Sequence, residues 1–281
     1  MYPPTSPPDS GNKDVILEEV ECLNGLADAI NVTDGAGAKS HMSALATAAI
    51  LAQNGIEPIL QFTTRDRNRI AIQGDLLGGW ALDIPNILCL YGDEVKGGDQ
   101  PDTKEVRDLD TIGILKTAHD IKTKKMYPSG RKINHAPEFF IGGADTPFKV
   151  NNYFNGSNLI KKIEAGVEFF QTQYAFDENI LKNYMLKLNE LHITDKAYFI
   201  IGLGVIKSAK SARWMNKNLF GINIPEEIIN RIEQSNDESL EGRKICIELV
   251  EKYKSIEGVS GIHLMGYKQE QEIASVISHF K

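Results

Sequence analysis

Seven short apolar runs, separated by segments that read mostly as helices, constrain this chain more than any other feature. The runs are residues 28–34 (DAINVTD), 57–64 (EPILQFTT), 86–93 (NILCLYGD), 138–145 (EFFIGGAD), 169–175 (FFQTQYA), 197–204 (AYFIIGLG) and 261–267 (GIHLMGY). Most are continuous rather than alternating, as strands covered on both faces are. Between them, residues 14–26 place Ile16, Val20 and Leu23 on one helical face. Residues 43–54 are rich in Ala and Leu, with Gly55 as a C-terminal cap. Asp108 opens a segment with Ile112 and Leu115 on one side. Asp177 is placed to cap a helix over residues 178–191 that aligns Leu181, Tyr184 and Leu188. Residues 238–253 and 268–280 complete the set.

A helix followed by seven strand–helix units means a parallel sheet with right-handed crossovers. The 281 residues suit one α/β barrel, which needs roughly 250. The expected fold is therefore a TIM-type (βα)8 barrel, a single domain over residues 1–281. Its eighth strand should precede the first helix. Residues 1–13 are rich in Pro, Ser and Gly, so that first strand is expected to be missing or truncated.

Charge and spacing exclude several function classes. A net charge of −7 without a long basic cluster disfavours nucleic acid, which needs clustered Lys and Arg. The three cysteines, Cys22, Cys89 and Cys246, are far apart and form no C-x-x-C, so neither a disulfide framework nor a zinc site is expected. The six histidines show no H-E-x-x-H spacing, and no metal is expected. The N-terminus lacks the basic start and apolar core of a signal peptide, and no run approaches the ~20 apolar residues of a membrane span. A cytoplasmic location is the default expectation.

Barrel sites lie at the C-terminal ends of the strands. The polar residues there are Thr33, Asp34, Thr63, Thr64, Asp93, Asp145, Gln173 and Tyr267. Singly each fits a helix or loop cap; together they fit one pocket. Residues 34–40 (DGAGAKS) have Ala38 where a P-loop needs glycine and Ser40 where a dinucleotide fingerprint does, so both motifs fail. The backbone of this stretch could still offer N–H groups to a phosphate. The run Arg65-Asp66-Arg67-Asn68-Arg69 is either a face with internal ion pairs or a set of anion contacts at the rim.

Residues 61–93 (QFTTRDRNRIAIQGDLLGGWALDIPNILCLYGD), 28–37 (DAINVTDGAG), 163–177 (IEAGVEFFQTQYAFD) and 261–267 together resemble methylenetetrahydrofolate reductase of the short bacterial type. The resemblance runs in order along nearly the whole chain. It implies a flavin-holding barrel in which NADH or NADPH reduces the flavin, usually FAD and alternatively FMN. The hydride then passes to 5,10-methylenetetrahydrofolate, giving 5-methyltetrahydrofolate. It implies a homo-oligomer with a folate substrate, and leaves room for a partner protein as electron donor. Asp93 matches a catalytic aspartate beside the flavin, and Thr33 and Lys162 match flavin contacts. Gln61 stands where some members carry a flavin-contacting histidine. Gln173 matches a pterin-binding glutamine, and Tyr174 stands where some members carry Phe.

The departure lies at the start. The family's first strand ends in Glu-x-x-Pro-Pro, the Glu serving as general acid toward the folate nitrogen. With Pro3-Pro4 as that proline pair, the Glu falls one residue before Met1. Three expectations stay open: a start codon assigned too late, a variant using another acid or reaction, and a non-catalytic flavin- or folate-binding subunit of a one-carbon complex.

Overall fold

A computed structural model describes Pro4, Thr5 and residues 7–281. Met1, Tyr2 and Pro3, invoked above for the missing acid, lie outside the described residues. Among the described residues eight strands form one parallel sheet in sequence order: β1 (Pro4–Thr5), β2 (Ile30–Val32), β3 (Pro58–Thr63), β4 (Asn86–Leu90), β5 (Phe140–Asp145), β6 (Phe169–Tyr174), β7 (Tyr198–Leu203) and β8 (Val259–Leu264). Sequential parallel order is the topology of a curled, TIM-type α/β sheet. Among the described residues no ladder joins β8 back to β1, so a seam stays open there.

The first strand is present, though short. Pro4 pairs with Asn31 and Thr5 with Val32. Proline has no N–H to give a ladder, so Pro4, Pro7 and Pro8 have none to offer a neighbouring strand. The segment after β1 is held in place. Pro8 O accepts from Met42 N at 3.0 Å, and Asp9 lies 2.6 Å from His41 Nδ1.

Among the described residues ten helices accompany the sheet: α1 (Lys13–Val20), α2 (Ala44–Gln53), α3 (Arg69–Ala81), α4 (Thr111–Lys124), α5 (Ser157–Glu164), α6 (Glu178–Glu190), α7 (Ala209–Asn218), α8 (Glu226–Glu233), α9 (Glu238–Tyr253) and α10 (Glu270–Ser278). Side-chain caps set several starts. Ser43 accepts from Ala46 N, Asn68 from Ile70 N and Ala71 N, and Asp177 from Asn179 N and Ile180 N. The segment expected to open at Asp108 starts instead after Asp110, which accepts from Gly113 N at 2.7 Å. Asp108 is taken up elsewhere, by Arg69.

Strand alternation separates two environments. Ile30, Val32, Leu60, Phe62, Phe170 and Leu264 face outward into the main core under the helices. Ala29, Ile59, Leu88, Phe169 and Ile200 form a small apolar floor inside the curl, where Phe140 and Phe169 stack at 4.8 Å. Above that floor the same alternation turns Asn31, Gln61 and Gln171 inward. Cys89 and Cys246 are buried, and burial pushes both thiols up to about 12, so they are inert.

Gly242, like Gly98, Gly202 and Gly204, meets backbone where a Cβ would stand. A Cβ on Gly242 of α9 would fall on the backbone carbonyl of Ile206. Backbone cannot swing aside as a side chain can. Gly242→Ala is expected to cost about 1–3 kcal/mol, the usual cost of overpacking. Urea unfolding with a wild-type midpoint would contradict this.

Candidate active site

The C-terminal rim is organised by buried charge. Asp34, just past β2, accepts from Thr63 N at 2.9 Å, from Thr63 Oγ1 at 2.8 Å and from Arg67 at 2.6 and 3.2 Å. Arg67 also donates to Asp75 at 3.0 Å and lies over the Phe62 ring. Burial alone would lower the Arg67 pKa; Asp34 and Asp75 more than offset it and raise it. Arg65, 4% exposed, donates to Gly35 O at 3.0 Å and chelates Asp66. Arg69 takes both oxygens of Asp108, at 2.7 and 2.8 Å. The arginine run therefore meets carboxylates of its own chain, and its role is to shape the rim.

The glycine-rich loop is pinned by Asp93. Gly35, Gly37 and Ala38 have φ of 59°, 66° and 54°, left-handed values that glycine tolerates best. The Gly37 N–H, one of those a phosphate might have used, donates to Asp93 Oδ2 at 2.7 Å. Gly98 packs its backbone against Ala38 from the other side. The loop carrying Asp93 is itself braced by Arg107. That guanidinium lies 3.8 Å over the Tyr91 ring and donates to Tyr91 O and Asp93 O. The Arg107 hydrogen bond holds Glu105 down to about 2.

The parallel sheet brings Thr33, Asp93 and Gln173 to one rim, at the ends of β2, β4 and β6. Asp93 is exposed there. Gln61 is not at the rim but inside the curl, two residues before the end of β3, opposite Leu88. Gln173 Oε1 accepts from Tyr174 N at 3.0 Å, beside a register shift in β6 that re-aims its side chains. Tyr174 turns the other way. It stacks on Phe176 at 5.4 Å and packs against the outer core, and burial pushes its hydroxyl up to about 12. The structure thus separates it from Gln173.

Lys162, on α5, reaches the end of β5, between β4 and β6 on the same rim. Its ammonium donates to Ala144 O at 2.5 Å and lines a cleft of about 590 Å³ with Asp145, Phe148, Phe154, Tyr184 and Phe220. Tyr184 donates its hydroxyl to Asp145 at 2.8 Å. The strand-end position of Asp145 was visible in the sequence; its partners come from two other elements and were not. Burial is the largest influence on Asp145 and raises its pKa, against smaller opposing effects of Tyr184 and Lys162. Burial likewise lowers Lys162.

A carboxyl raised by folding favours the native state most when protonated. That contribution is full below the unfolded value of about 3.9 and is lost as pH rises through the folded value. Asn at this position does not titrate and still accepts from Tyr184. Asp145→Asn is therefore expected to gain stability relative to wild type as pH rises above the ordinary carboxylate range, with the gap closing in acid. Unfolding midpoints across pH 3–8 measure it; a gap independent of pH would contradict it.

Residues 5–281 match the family model of methylenetetrahydrofolate reductase. A curated relative from Caenorhabditis elegans, "Probable methylenetetrahydrofolate reductase (NADPH)", is 24% identical over 238 residues, 82% of this chain. The chain spans about a third (33%) of that relative's length. Among solved structures, an uncharacterized protein from Clostridium thermocellum, described as binding two copies of 5-methyl-5,6,7,8-tetrahydrofolic acid, superposes with a TM-score of 0.68. It is 16% identical, and the match covers 100% of this chain and 94% of that one, a likeness of fold. Among the described residues no helix is long and apolar enough to cross a membrane. With its family model matched from Thr5 to the last residue, on an α/β chain whose parallel strands follow one another in sequence order, the chain belongs to the methylenetetrahydrofolate reductase family.

Proposed function

We propose that the chain is a flavoprotein that reduces 5,10-methylenetetrahydrofolate to 5-methyltetrahydrofolate with NADH or NADPH as donor. The observation that carries this reading is the family match over residues 5–281, with Asp93 exposed on the rim shared by Thr33 and Gln173.

The residues fit a flavin, FAD or FMN, in one specific respect. Asn31 and Gln171 face into the curl, 0% and 4% exposed, and both atoms of each amide lack a hydrogen-bond partner. A buried amide left alone costs roughly 1–3 kcal/mol. A planar ring with both donors and acceptors, or ordered water, would answer it. When bound, the flavin supplies two-electron hydride transfer. Thr33, Gln61 and Asp93 are the contacts proposed for it. Lys162, drawn to the Ala144 carbonyl at the end of β5, is a fourth.

Asp93 holds a negative charge at a fixed place, because Gly37 anchors one of its oxygens. That charge favours a cationic iminium form of the folate. Gln173, its oxygen taken by Tyr174 N, keeps its NH2 to donate to a pterin ring.

The first strand itself contains Pro4, and the family match begins at residue 5. The proline pair that follows the strand is then Pro7-Pro8, and the position three residues ahead of Pro7 is Pro4. In this register a proline stands where the family carries its acid. Loss of a positioned acid costs the folate step roughly 10²–10⁴-fold. This favours a second reading, a flavin- or folate-binding subunit without turnover. Anaerobic spectra separate the two. Purified protein should be yellow, NADH or NADPH should bleach it, and methylenetetrahydrofolate should restore the colour. Bleaching without restoration supports the binding subunit. A colourless protein that takes up neither FAD nor FMN rejects both flavin readings.

A further inference from the structure

The register shift in β6 is spliced by a side chain. Gln171 pairs with Ile200, and the next pair is Tyr174 with Gly202. Between those pairs β6 advances three residues and β7 two, the signature of a bulge. The carbonyls of Thr172 and Gln173 crowd Gly202 there, and a Cβ on Gly202 would fall on both. The Gly202 N–H donates to Thr172 Oγ1 at 2.8 Å. The same hydroxyl donates to Gln173 O at 2.9 Å. Thr172 is 3% exposed, so water does not compete for either bond. A hydroxyl both accepts and donates, and here it ties β7 to the carbonyl of residue 173.

The segment is fixed on the far side of Gln173 as well. Ala175 N donates to Gly202 O at 2.9 Å. The Ala175 carbonyl accepts from the buried Tyr253 hydroxyl of α9 at 2.7 Å. Gln173 thus stands in a short span held at both ends, and Tyr174 N holds its Oε1.

The fold uses the same device away from the rim. Phe199 pairs with Val259 and Ile200 with Gly261, so Ser260 is the extra residue of β8. Its hydroxyl accepts from Phe199 N at 3.2 Å. Ser260 lies near the start of β8, at the opposite end of the sheet from the rim. Both hydroxyls serve the sheet, but of the two only Thr172 adjoins a proposed substrate contact.

We propose that Thr172 is a positioning residue for the folate: its hydroxyl, spliced between Gly202 N and Gln173 O, fixes the place from which Gln173 presents its NH2 to the pterin. This rests on the reading of Gln173 as a pterin contact. Hydrogen bonds weaken steeply away from their preferred length and line. A misplacement of about 1 Å can cost a site on the order of 100-fold.

Titration calorimetry of the full chain with 5-methyltetrahydrofolate tests this without requiring turnover. Gln173→Ala should weaken binding about tenfold, the upper worth of a neutral hydrogen bond. Thr172→Val keeps the branched shape, removes the hydroxyl and should weaken binding by about 3–10-fold. Thr172→Ser keeps the hydroxyl and should bind within about twofold of wild type. Ser260→Ala, which removes the other splice, should bind as wild type does. Added to Gln173→Ala, Thr172→Val should cost less than about twofold more, because both act through one amide. Should Thr172→Val fail to fold, Thr172→Ala removes the same hydroxyl and carries the same expectation. A lowered urea midpoint with wild-type folate affinity in Thr172→Val overturns the proposal and leaves the hydroxyl a splint for the sheet. An undiminished effect of Thr172→Val in the Gln173→Ala background also overturns it. Weakened binding in Gln173→Ala beside unchanged binding in Thr172→Val strikes the proposal alone. Wild-type binding in Gln173→Ala removes the pterin reading of Gln173 and the proposal with it.

Discussion

Asp93→Asn is expected to slow reoxidation of the reduced flavoprotein by methylenetetrahydrofolate about 100–1,000-fold, the usual effect of removing one preorganised electrostatic group. The substitution removes the charge and little else. Asn Oδ1 can still accept from Gly37 N, so the glycine-rich loop keeps its tether. The arginine that braces the loop contacts the backbone of residue 93 and not its side chain. Flavin reduction by NADH or NADPH does not need the iminium-favouring charge and should change little. Anaerobic stopped-flow spectroscopy reads the two half-reactions separately. If both fall together, the carboxylate acts through flavin binding or loop position rather than on the folate.

Arg67→Met is expected to be the most destabilising single change on the rim, at about 3–5 kcal/mol. The guanidinium is 16% exposed and bridges Asp34, 8% exposed, to Asp75. Removing it leaves a buried carboxylate facing Thr63 without its countercharge. Arg67→Lys should recover only part of the loss, since a single ammonium cannot reach both carboxylates in the forked geometry. Adding Asp34→Asn to Arg67→Met should restore some stability, because the stranded charge is then gone. Urea unfolding of wild type, Arg67→Met, Arg67→Lys, Asp34→Asn and the double variant measures each step. Additive losses in the double variant would mean the two residues are not coupled.

The strands were legible because burial on both faces writes itself as continuous apolar sequence. Six of the seven expected runs contain β2 to β7, trimmed by a few residues, and the seventh overlaps β8, which starts two residues ahead of it at Val259. The first strand was hidden by its prolines, which suppress the pattern without preventing Pro4 and Thr5 from pairing. Helices with a capping aspartate and a clear stripe were equally readable, as Asp177 and α6 show. The segment between β7 and β8 was only partly readable. It holds α7 and α8 ahead of α9, and these pack largely on one another rather than on the sheet. The arginine run was ambiguous for a different reason. Asp34 and Asp108 lie 33 and 39 residues from the arginines they bind, and composition carries no record of such distances. Gln61 and Tyr174 were legible as residues near the site, but not the direction in which each points. Which way a strand residue points depends on register, and the shift in β6 sends Tyr174 outward.

The connection between β7 and β8 sets how the sheet is finished. Residues 204–258 separate the two strands, the longest excursion between neighbours in the sheet. Closure entropy grows only logarithmically, so doubling such a tether costs about 0.6 kcal/mol. The last strand must nevertheless wait for its neighbour across all of that chain. Folding speed, far more than equilibrium stability, should feel any lengthening or shortening of the α7–α8 excursion.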